Sequence, residues 1–550
     1  MNKLTKMIVA ASAMLPLATM ATTVAYWPLA GASGVRTTSS TVFANEGDGG
    51  TMDAVPVVVN NWYGGQYGDA KYLPVGTNAF PTAYGVYDPV AKANKAAATG
   101  LNFDSWSMNN NWWTAKYIAT YSGCLKVSDA DELKLSTFTV ECFVMPATAR
   151  NGYTHCLAVM PLSVVADDGS KTKEVVGKES WGIRLTSQNR PYLAYSYVAG
   201  GTTNYVTTTP QSGPKVPFDN RWHHLAFSVD RTTLKIYIDY ALAYTQTLSG
   251  EVVYDQDADL FIGGGTFPKQ SYYGSMAHFR ISDEVLPTEK FLHFTRTERA
   301  ADEASDTFLH INFEPVDGIS TNNIAFNQAA TGSAVHFGAT NNTSVAGYAQ
   351  LVSDVYTNKL YASRRDYKGY DNMRSFSRTN NSAGDPFFSW LPPEDVFHDS
   401  SFTVEFFMNT SSFSAWSHLF KRRVDANDSE NQFWIGGFGT ADRLKCDFGG
   451  QTITDTSSIG DSKWNHIAVV YDKPNRKLAF YRNWSKIGEK TVTESSIKGA
   501  TVKPITIAGC TPSGTTYTGL MDEIRITKRA LTDREFLSPK QPKGLIISFY

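Results

Sequence analysis

The sequence predicts an all-β fold made of two tandem antiparallel β-sandwich domains. In one clear strand, Leu225, Phe227 and Val229 alternate with Ala226 and Ser228, which is the period of a half-buried strand. Aromatic residues make up 13% of the chain, and 42 Gly and 23 Pro separate many short strand-forming runs. With 550 residues, the chain is longer than one domain usually is.

An internal repeat supports the division into two domains. Three motifs recur in the same order with nearly the same offset, which indicates a tandem duplication rather than a short-period solenoid. We call residues 22–297 copy 1 and residues 307–540 copy 2; residues 298–306 are a predicted linker and residues 541–550 a tail. The paired motifs are Phe138-Thr-Val-Glu-Cys-Phe143 with Phe402-Thr-Val-Glu-Phe-Phe407, Trp222-His-His-Leu-Ala-Phe with Trp464-Asn-His-Ile-Ala-Val, and Gly274-Ser-Met-Ala-His-Phe-Arg-Ile281 with Gly519-Leu-Met-Asp-Glu-Ile-Arg-Ile526.

The first 21 residues have the layout of a secretory signal peptide. Lys3 and Lys6 precede an apolar run from Met7 to Ala18, and Thr19-Met-Ala21 provides small residues for cleavage. No cysteine lies near that point, which argues against a lipoprotein, and no other stretch approaches the ~20 apolar residues of a membrane span. We therefore expect an exported protein, extracellular or at the cell surface, that does not insert into the membrane.

The charge of the chain argues against one class of partner. Lys and Arg number 50 against 52 Asp and Glu, so the formal net charge is −2. A protein that binds nucleic acid needs a cationic surface for the phosphates. We expect no nucleic-acid partner.

One short helix is predicted after the last strand of each copy. In copy 2, Thr532-Asp-Arg-Glu535 is a capping box that opens the turn carrying Phe536. Long helical periodicity is absent from the rest of the sequence.

The motifs carry a family resemblance. Val24-Ala-Tyr-Trp-Pro-Leu29 and, more loosely, Leu309-His-Ile-Asn-Phe-Glu-Pro315 resemble an entry strand, and Arg529-Ala-Leu531 follows the final one. With the repeated motifs, each copy resembles a laminin-G-like jelly-roll domain of the concanavalin A-like lectin/glucanase superfamily, in its bacterial secreted form. The resemblance implies jelly-roll sandwiches and a lectin-like role. Copy 1 departs from the pattern at Ala277-His278, where copy 2 has Asp522-Glu523.

The sequence predicts a non-catalytic protein. A glycoside hydrolase needs two carboxylates that flank the scissile bond, whereas Glu141 and Glu405 are single carboxylates in their strands. His224 and His466 are interpreted as strand histidines that cap a neighbouring carbonyl group rather than as general bases. Hydrolysis by carboxylates that are distant in sequence is the third-ranked alternative.

The resemblance also implies at most one structural calcium ion, in copy 2. In laminarinase-like relatives the aspartate of the final strand is a calcium ligand near the entry strand, and Asp522 matches that position, with Glu314 expected nearby. Ala277 offers no such ligand in copy 1. The alternative is that Asp522 and Glu523 pair with Arg525 or with the backbone of a turn.

Export makes disulfides permissible among the five cysteines. Cys142 and Cys156 flank the hairpin signal Asn151-Gly152, although only a longer or bulged loop would bring them face to face. Cys446 with Cys510 is a weaker candidate pair. The alternative is that all five are buried, reduced thiols.

Two groups of residues are candidate ligand-binding surfaces. The long insertion of copy 1 is rich in Gly, Asn and large aromatic rings, which predicts exposed loops that stack on sugars; the alternative is that these rings are buried as a second core. In copy 2, a basic cluster with interleaved aromatics suits a sulfated or uronic polysaccharide, or is a solvated loop. The residues are Trp62, Tyr63, Trp106, Trp112, Trp113 and Tyr117 in copy 1, and Arg364, Arg365, Lys368 and Arg374 in copy 2.

Three functions follow, in order of preference. The first is the binding of an extracellular polysaccharide or glycan. The second is a structural or adhesive surface module with a protein partner, and the third is the glycoside hydrolase.

Overall fold

The structure is a computed structural model of the whole chain. It describes residues 22–537 except for 61–64, 68–72, 79, 82, 92, 96–98, 104–105, 108–120, 129, 148–153, 163–178, 209–211, 256–258, 265–271, 302, 314–315, 321–323, 330–334, 337–349, 353–374, 379–387, 391–393, 425–430, 438, 440, 500–504, 509–514 and 518.

Copy 1 is a sandwich of two antiparallel sheets. Across its first sheet the strands are β17 (Ala241–Thr247), β16 (Thr233–Ile238), β15 (His223–Asp230), β10 (Thr137–Pro146), β19 (Gly274–Ser282), β7 (Thr99–Asn102) and β4 (Val75–Asn78), and β1 (Thr23–Trp27) also pairs with β19. Across its second sheet they are β14 (Thr202–Thr207), β13 (Pro191–Ala199), β12 (Glu179–Leu185), β11 (His155–Pro161), β18 (Leu260–Ile262), β9 (Tyr121–Val127), β2 (Ala54–Asn60) and β3 (Gly65–Tyr67), and β8 (Trp106–Ser107) pairs with β9.

A small third sheet adds to copy 1. It consists of β20 (His293–Arg296), β5 (Tyr84–Asp88) and β6 (Ala93–Lys95). Together with β2, β3, β4, β7 and β8, β5 and β6 place several described segments of the copy 1 insertion in strands, where loops were expected.

Copy 2 repeats the same strand order. Its first sheet runs β24 (Gln350–Val352), β25 (Ser375–Arg378), β37 (Gly519–Thr527), β27 (Phe402–Asn409), β32 (Trp464–Asp472), β33 (Lys477–Arg482) and β34 (Ser485–Thr491), with β21 (Thr307–Ile311) beside β37. Its second sheet runs β26 (Phe388–Trp390), β35 (Ile505–Ile507), β28 (Ser417–Arg423), β29 (Asn431–Gly436), β30 (Lys445–Phe448) and β31 (Gln451–Thr454), with β36 (Thr515–Thr516) beside β28; β22 (Ile324–Ala325) and β23 (Val335–His336) form a separate pair.

Each copy has its own core between its two sheets. In copy 1, Val140 of the first sheet and Ile183 of the second belong to one buried cluster, and in copy 2 Phe406 and Ile435 do the same. The alternation seen in the sequence therefore places one face of every central strand in the core. The prediction of two tandem antiparallel sandwiches is confirmed.

Helical structure is sparse among the described residues. The α-helix α1 (Val396–Asp399) precedes β27, and the 3-10 turns are Asp131–Leu133, Thr288–Lys290 and Glu494–Ser496. The capping-box contact forms in copy 2, because the Thr532 N–H donates to Glu535 Oε2 at 2.8 Å, but it closes a turn and not a helix. None of the described helices is long and apolar enough to cross a membrane.

The cysteine pairing suggested within copy 1 is wrong. Cys142 and Cys156 are free and buried, because β10 and β11 belong to different sheets rather than to one hairpin. Cys142 lies in the sandwich core, whereas Cys156 belongs to a separate cluster with Cys124. Cys446 is also a free, buried thiol, and Cys510 lies outside the described residues. Burial raises the pKa of the Cys142, Cys156 and Cys446 thiols, that of Cys156 to about 12, so these three stay protonated.

Candidate functional site

A buried network of Glu, His and Arg occurs in both copies. In copy 1, Glu141 accepts hydrogen bonds from His224 Nε2 at 2.8 Å, from Arg280 Nε at 2.7 Å and from the Leu292 N–H at 2.8 Å. The three side chains come from adjacent strands, because β10 lies between β15 and β19. The network therefore fixes the segment after the last strand onto the sheet.

Copy 2 contains the same network. Glu405 accepts hydrogen bonds from His466 Nε2 at 2.9 Å, from Arg525 Nε at 2.8 Å and from the Leu537 N–H at 2.7 Å. Burial favours the neutral acid, but the arginine and histidine partners outweigh it and lower the pKa of Glu405, as they lower that of Glu141. Both histidines thus bond a carboxylate and not the carbonyl that the sequence suggested.

A stacked aromatic ring covers the histidine in each copy. Tyr240 stacks on His224 with ring centroids 4.5 Å apart, and Trp484 stacks on His466 at 5.0 Å. Each ring follows a residue with positive φ, Asp239 in copy 1 and Asn483 in copy 2, in a hairpin turn of left-handed residues. The structural frame around the carboxylate is therefore duplicated down to its turns.

The last strand of each copy has a bulged residue that differs in chemistry. His278 and Glu523 both have positive φ, at 51° and 48°. His278 Nδ1 lies 2.5 Å from the hydroxyl of Tyr26 on the entry strand of copy 1. In copy 2 the entry strand supplies His310, whose Nε2 lies 2.7 Å from Glu523 Oε2.

His310 is held between two carboxylates. Its Nδ1 bonds Glu303, and its Nε2 bonds Glu523. Burial alone would lower the pKa of His310, but these two partners raise it to about 9, so the imidazole is a cation at neutral pH. A buried positive charge therefore joins the residues before β21 to the last strand of copy 2.

The predicted calcium site is only partly visible. Asp522 is buried, and its Oδ1 accepts the Glu523 N–H at 2.8 Å, as the turn-backbone alternative proposed. Glu314 lies outside the described residues. No cluster of three or more candidate metal ligands occurs within the described part of the chain. The single calcium ion stays a prediction.

The outer face of the second sheet carries an ion pair in copy 1. Arg184 on β12 bonds Glu179 on the same strand, and both side chains are almost fully buried. Gly182 makes this possible, because a Cβ atom there would lie 2.4 Å from Glu179 Oε2. Because position 182 has no side chain, the Glu179 carboxylate can lie over the backbone of Gly182 and reach Arg184.

The matching face in copy 2 carries different side chains. The bulges and registers of the two sheets correspond, so Trp434 occupies the place of Gly182, and Gly436 that of Arg184. Trp434 stands in a cross-strand row between Lys421 and Asp447. The same face therefore has a buried indole with polar neighbours in copy 2, where copy 1 has a buried ion pair within one strand.

Trp416 is a half-exposed tryptophan at the start of β28. Its side chain is 50% exposed, and it lies two residues before His418 in the sequence. The other tryptophans whose burial the structure describes are more enclosed, namely Trp27, Trp181, Trp222, Trp434, Trp464 and Trp484. An exposed indole is a flat apolar surface that is open to a ligand.

The loop that bears Trp416 is fixed by hydrogen bonds. The Trp416 N–H donates to Ser414 Oγ at 3.3 Å, and the Gly439 N–H donates to the Ala415 carbonyl at 2.7 Å. Gly437 permits this approach, since a Cβ atom there would lie 2.5 Å from the Ser414 carbonyl oxygen. The indole thus lies on a loop that hydrogen bonds hold in place, so less conformational entropy is lost when a ligand binds.

Sequence reasoning did not single out Trp416, Arg184 or Trp434. Arg280 was missed as well, and Arg525 was named only as a possible partner of Asp522 and Glu523, although both arginines lie in a repeated motif. A search for polar residues shared by both copies would have found the two arginines, whereas nothing in the sequence distinguishes an exposed tryptophan from a buried one.

Most of the predicted ligand residues lie outside the described side chains. Trp106 is placed by its backbone in β8, and so belongs to a strand rather than a loop. Tyr84, another ring of the same insertion, is buried and contacts Phe326 at 4.8 Å between centroids, as the second-core alternative expected. The others are Trp62, Tyr63, Trp112, Trp113, Tyr117, Arg364, Arg365, Lys368 and Arg374.

Two laminin-G-like sandwiches in tandem define the class of protein. The model of the concanavalin A-like lectin/glucanases superfamily matches residues 120–290 and 384–536, which is more than half of the chain. The protein belongs to this family. No curated protein matches the sequence.

Several solved structures are similar to the chain. Domain 4 of a GH43 extracellular arabinanase from Geobacillus stearothermophilus, in complex with arabinotriose, has 12% identity and a TM-score of 0.30, over 49% of this chain and 97% of that one. Mouse laminin alpha1 domains LG4-5 have 10% identity and a TM-score of 0.21, over 77% and 92%. The CBM40 of the Ruminococcus gnavus IT-sialidase, bound to alpha2,3 sialyllactose, has 11% identity and a TM-score of 0.24, over 35% and 93%.

Proposed function

We propose that the protein is an exported, non-catalytic binding protein for extracellular polysaccharide, and that copy 2 contacts the polymer through Trp416. The observation that carries the proposal is the half-exposed indole on a loop fixed by backbone hydrogen bonds. Sugar rings have flat C–H faces that stack on such a ring, and membership of a lectin-like family makes this the preferred ligand class.

The state of the two carboxylates that the copies share supports a non-catalytic role. Glu141 and Glu405 are buried, and each is engaged by a histidine, an arginine and a backbone N–H. A hydrolytic acid or base needs direct reach to the glycosidic oxygen or to water. These two carboxylates are used for structure instead.

The test is retention of the full chain on insoluble polysaccharides. The panel contains a neutral glucan, an arabinan, a uronic-acid polymer and a sulfated polysaccharide. We expect Trp416→Ala to lose retention on the bound polymer at an unchanged melting temperature, because a half-exposed ring contributes little to the core. Val198→Ala in copy 1, a site that is 53% exposed, is the matched control and should bind as the parent does.

Two results oppose the proposal. Unchanged retention of Trp416→Ala would remove Trp416 from the contact surface. Failure of the parent on every polymer would favour a protein partner over a glycan.

A further inference from the structure

Residues 316–320 follow the entry strand of copy 2 but pack on copy 1. The Trp222 N–H donates to the Gly318 carbonyl at 2.9 Å, and the Ser320 N–H donates to the Trp222 carbonyl at 2.8 Å. Ile319 is fully buried in a cluster with Trp222 and other residues of copy 1. The chain therefore joins the two copies by a packed contact as well as by a covalent linker.

A charged side-chain network lies beneath this contact. The Ser320 hydroxyl donates to Asp239 Oδ2 at 2.7 Å, and His223 Nδ1 lies 2.9 Å from the same oxygen. His223 Nε2 lies 3.0 Å from Asp219 Oδ1. Both ring nitrogens face carboxylates, and only the imidazolium form has an N–H to donate at each of them.

Copy 2 has a version of the same network without the histidine and the aspartate. Asn465 and Asn483 occupy the places of His223 and Asp239, because β27 pairs with β32 as β10 pairs with β15. Asn483 Nδ2 donates to Asn465 Oδ1 at 3.0 Å. Arg482 Nε also donates to Asn465 Oδ1, at 2.9 Å. The copy 2 turn is thus held by two amides and an arginine, none of which titrates near neutral pH, whereas copy 1 has a histidine and an aspartate at the position that contacts Ser320.

We propose that His223 and Asp239 form a protonation-dependent latch that holds residues 316–320 on copy 1. While His223 is charged, it balances the buried Asp239, which then accepts the Ser320 hydroxyl. When His223 loses its proton, the Asp239 carboxylate is left without its buried cation, and the contact weakens.

The surroundings of His223 define the pH range. Burial alone would lower its pKa, but Asp239 and Asp219 outweigh burial and raise the pKa above 6.5. The latch is therefore complete below pH 6.5 and is lost as the pH rises through the raised value. The other charged groups on these elements are Arg221 beside Asp219, the exposed Asp317, and His224, which faces Glu141.

The test is hydrogen exchange of the full chain, followed by mass spectrometry between pH 5.5 and pH 9 and corrected for intrinsic chemistry. We expect protection of the peptides that cover Trp222 and residues 316–320 to fall about tenfold for each unit by which folding raises the pKa of His223. The peptide that covers Asn465 should show no such fall. Equal pH dependence at both positions, or none at Trp222, overturns the latch.

Two mild variants keep the test decisive. Ser320→Ala should lower protection of residues 316–320 about tenfold at pH 5.5, because it removes a hydrogen bond to a charged group. Asp219→Asn should move the pH midpoint downward, since His223 loses one carboxylate. Unchanged protection in the first variant or an unchanged midpoint in the second contradicts the proposal.

Discussion

The two copies share a buried network and differ on the outer face of their second sheets. Both place one buried glutamate between a histidine and an arginine, and both stack a ring on that histidine. On the outer face of the second sheet, however, Gly182 and Arg184 of copy 1 correspond to Trp434 and Gly436 of copy 2. The two copies thus keep the same network of glutamate, histidine and arginine and differ in the side chains on the outer face of the second sheet, which are buried in both copies.

The arginine of the shared network shows how the frame was adapted. Arg280 in copy 1 gains a second carboxylate, because its Nη1 donates to Asp88 Oδ1 at 2.6 Å. Asp88 comes from the third sheet, and Arg280 is fully buried. Arg525 in copy 2 keeps 16% of its side chain exposed. Copy 1 thus encloses the network, whereas copy 2 leaves its edge open to solvent.

Loss of the shared glutamate should have the largest effect. Glu141→Ala and Glu405→Ala should each lower the free energy of unfolding by about 3–5 kcal/mol, because each removes the buried anion that a histidine and an arginine share. Urea unfolding measures the loss. Glu489→Ala, at the exposed edge strand β34, should stay within about 1 kcal/mol of the parent. If only one of the two glutamate variants lost this much unfolding free energy, the network would not play the same structural role in both copies.

His310 should make copy 2 sensitive to alkaline pH. A pKa held at about 9 against an unfolded value near 6.5 contributes about 3 kcal/mol below pH 6.5, and this stability is lost as the pH rises through 9. Unfolding free energies at pH 6, 7.5 and 9 measure the slope. His310→Gln should flatten it, since glutamine does not titrate. If the parent and His310→Gln have the same slope over this range, His310 is not the titrating group.

Gly182→Ala should have a smaller effect, confined to copy 1. The new Cβ would displace Glu179 from Arg184, at an expected loss of about 1–3 kcal/mol in unfolding free energy. Gly499→Ala is the matched control, because its Cβ would be no closer than 3.7 Å to any side chain, and it should be neutral within about 0.5 kcal/mol. Equal melting of the two variants would show that position 182 does not need glycine.

The sequence predicted where the central strands lie, but it did not predict which strands are adjacent in the sheets. The repeated motifs located β10, β15 and β19 and their counterparts, because alternation and hydrophobicity are local properties. Contact between Glu141, His224 and Arg280 depends on the order of strands in the sheet, which alternation does not encode. The suggested Cys142–Cys156 pair failed for the same reason, since the Asn-Gly signal says nothing about a chain that crosses between sheets.

The binding surface was harder still to predict. In the sequence, Trp416 and Trp106 both stand among small and polar residues, and nothing there separates them. Only the structure shows that the Trp416 side chain is half-exposed. Gly437 permits this loop geometry because it lets its backbone lie close to the Ser414 carbonyl oxygen. No pattern in the sequence predicts such a contact between two segments.

Quenching of tryptophan fluorescence by acrylamide can show whether Trp416 contacts a polysaccharide. A half-exposed indole is open to the quencher, and a sugar stacked on it would shield it. We expect the bound polysaccharide to lower the quenching constant of the full chain saturably and to leave that of Trp416→Phe unchanged. Equal protection from quenching in the parent and in Trp416→Phe, or no protection by any polymer of the panel, would show that Trp416 does not contact a polysaccharide.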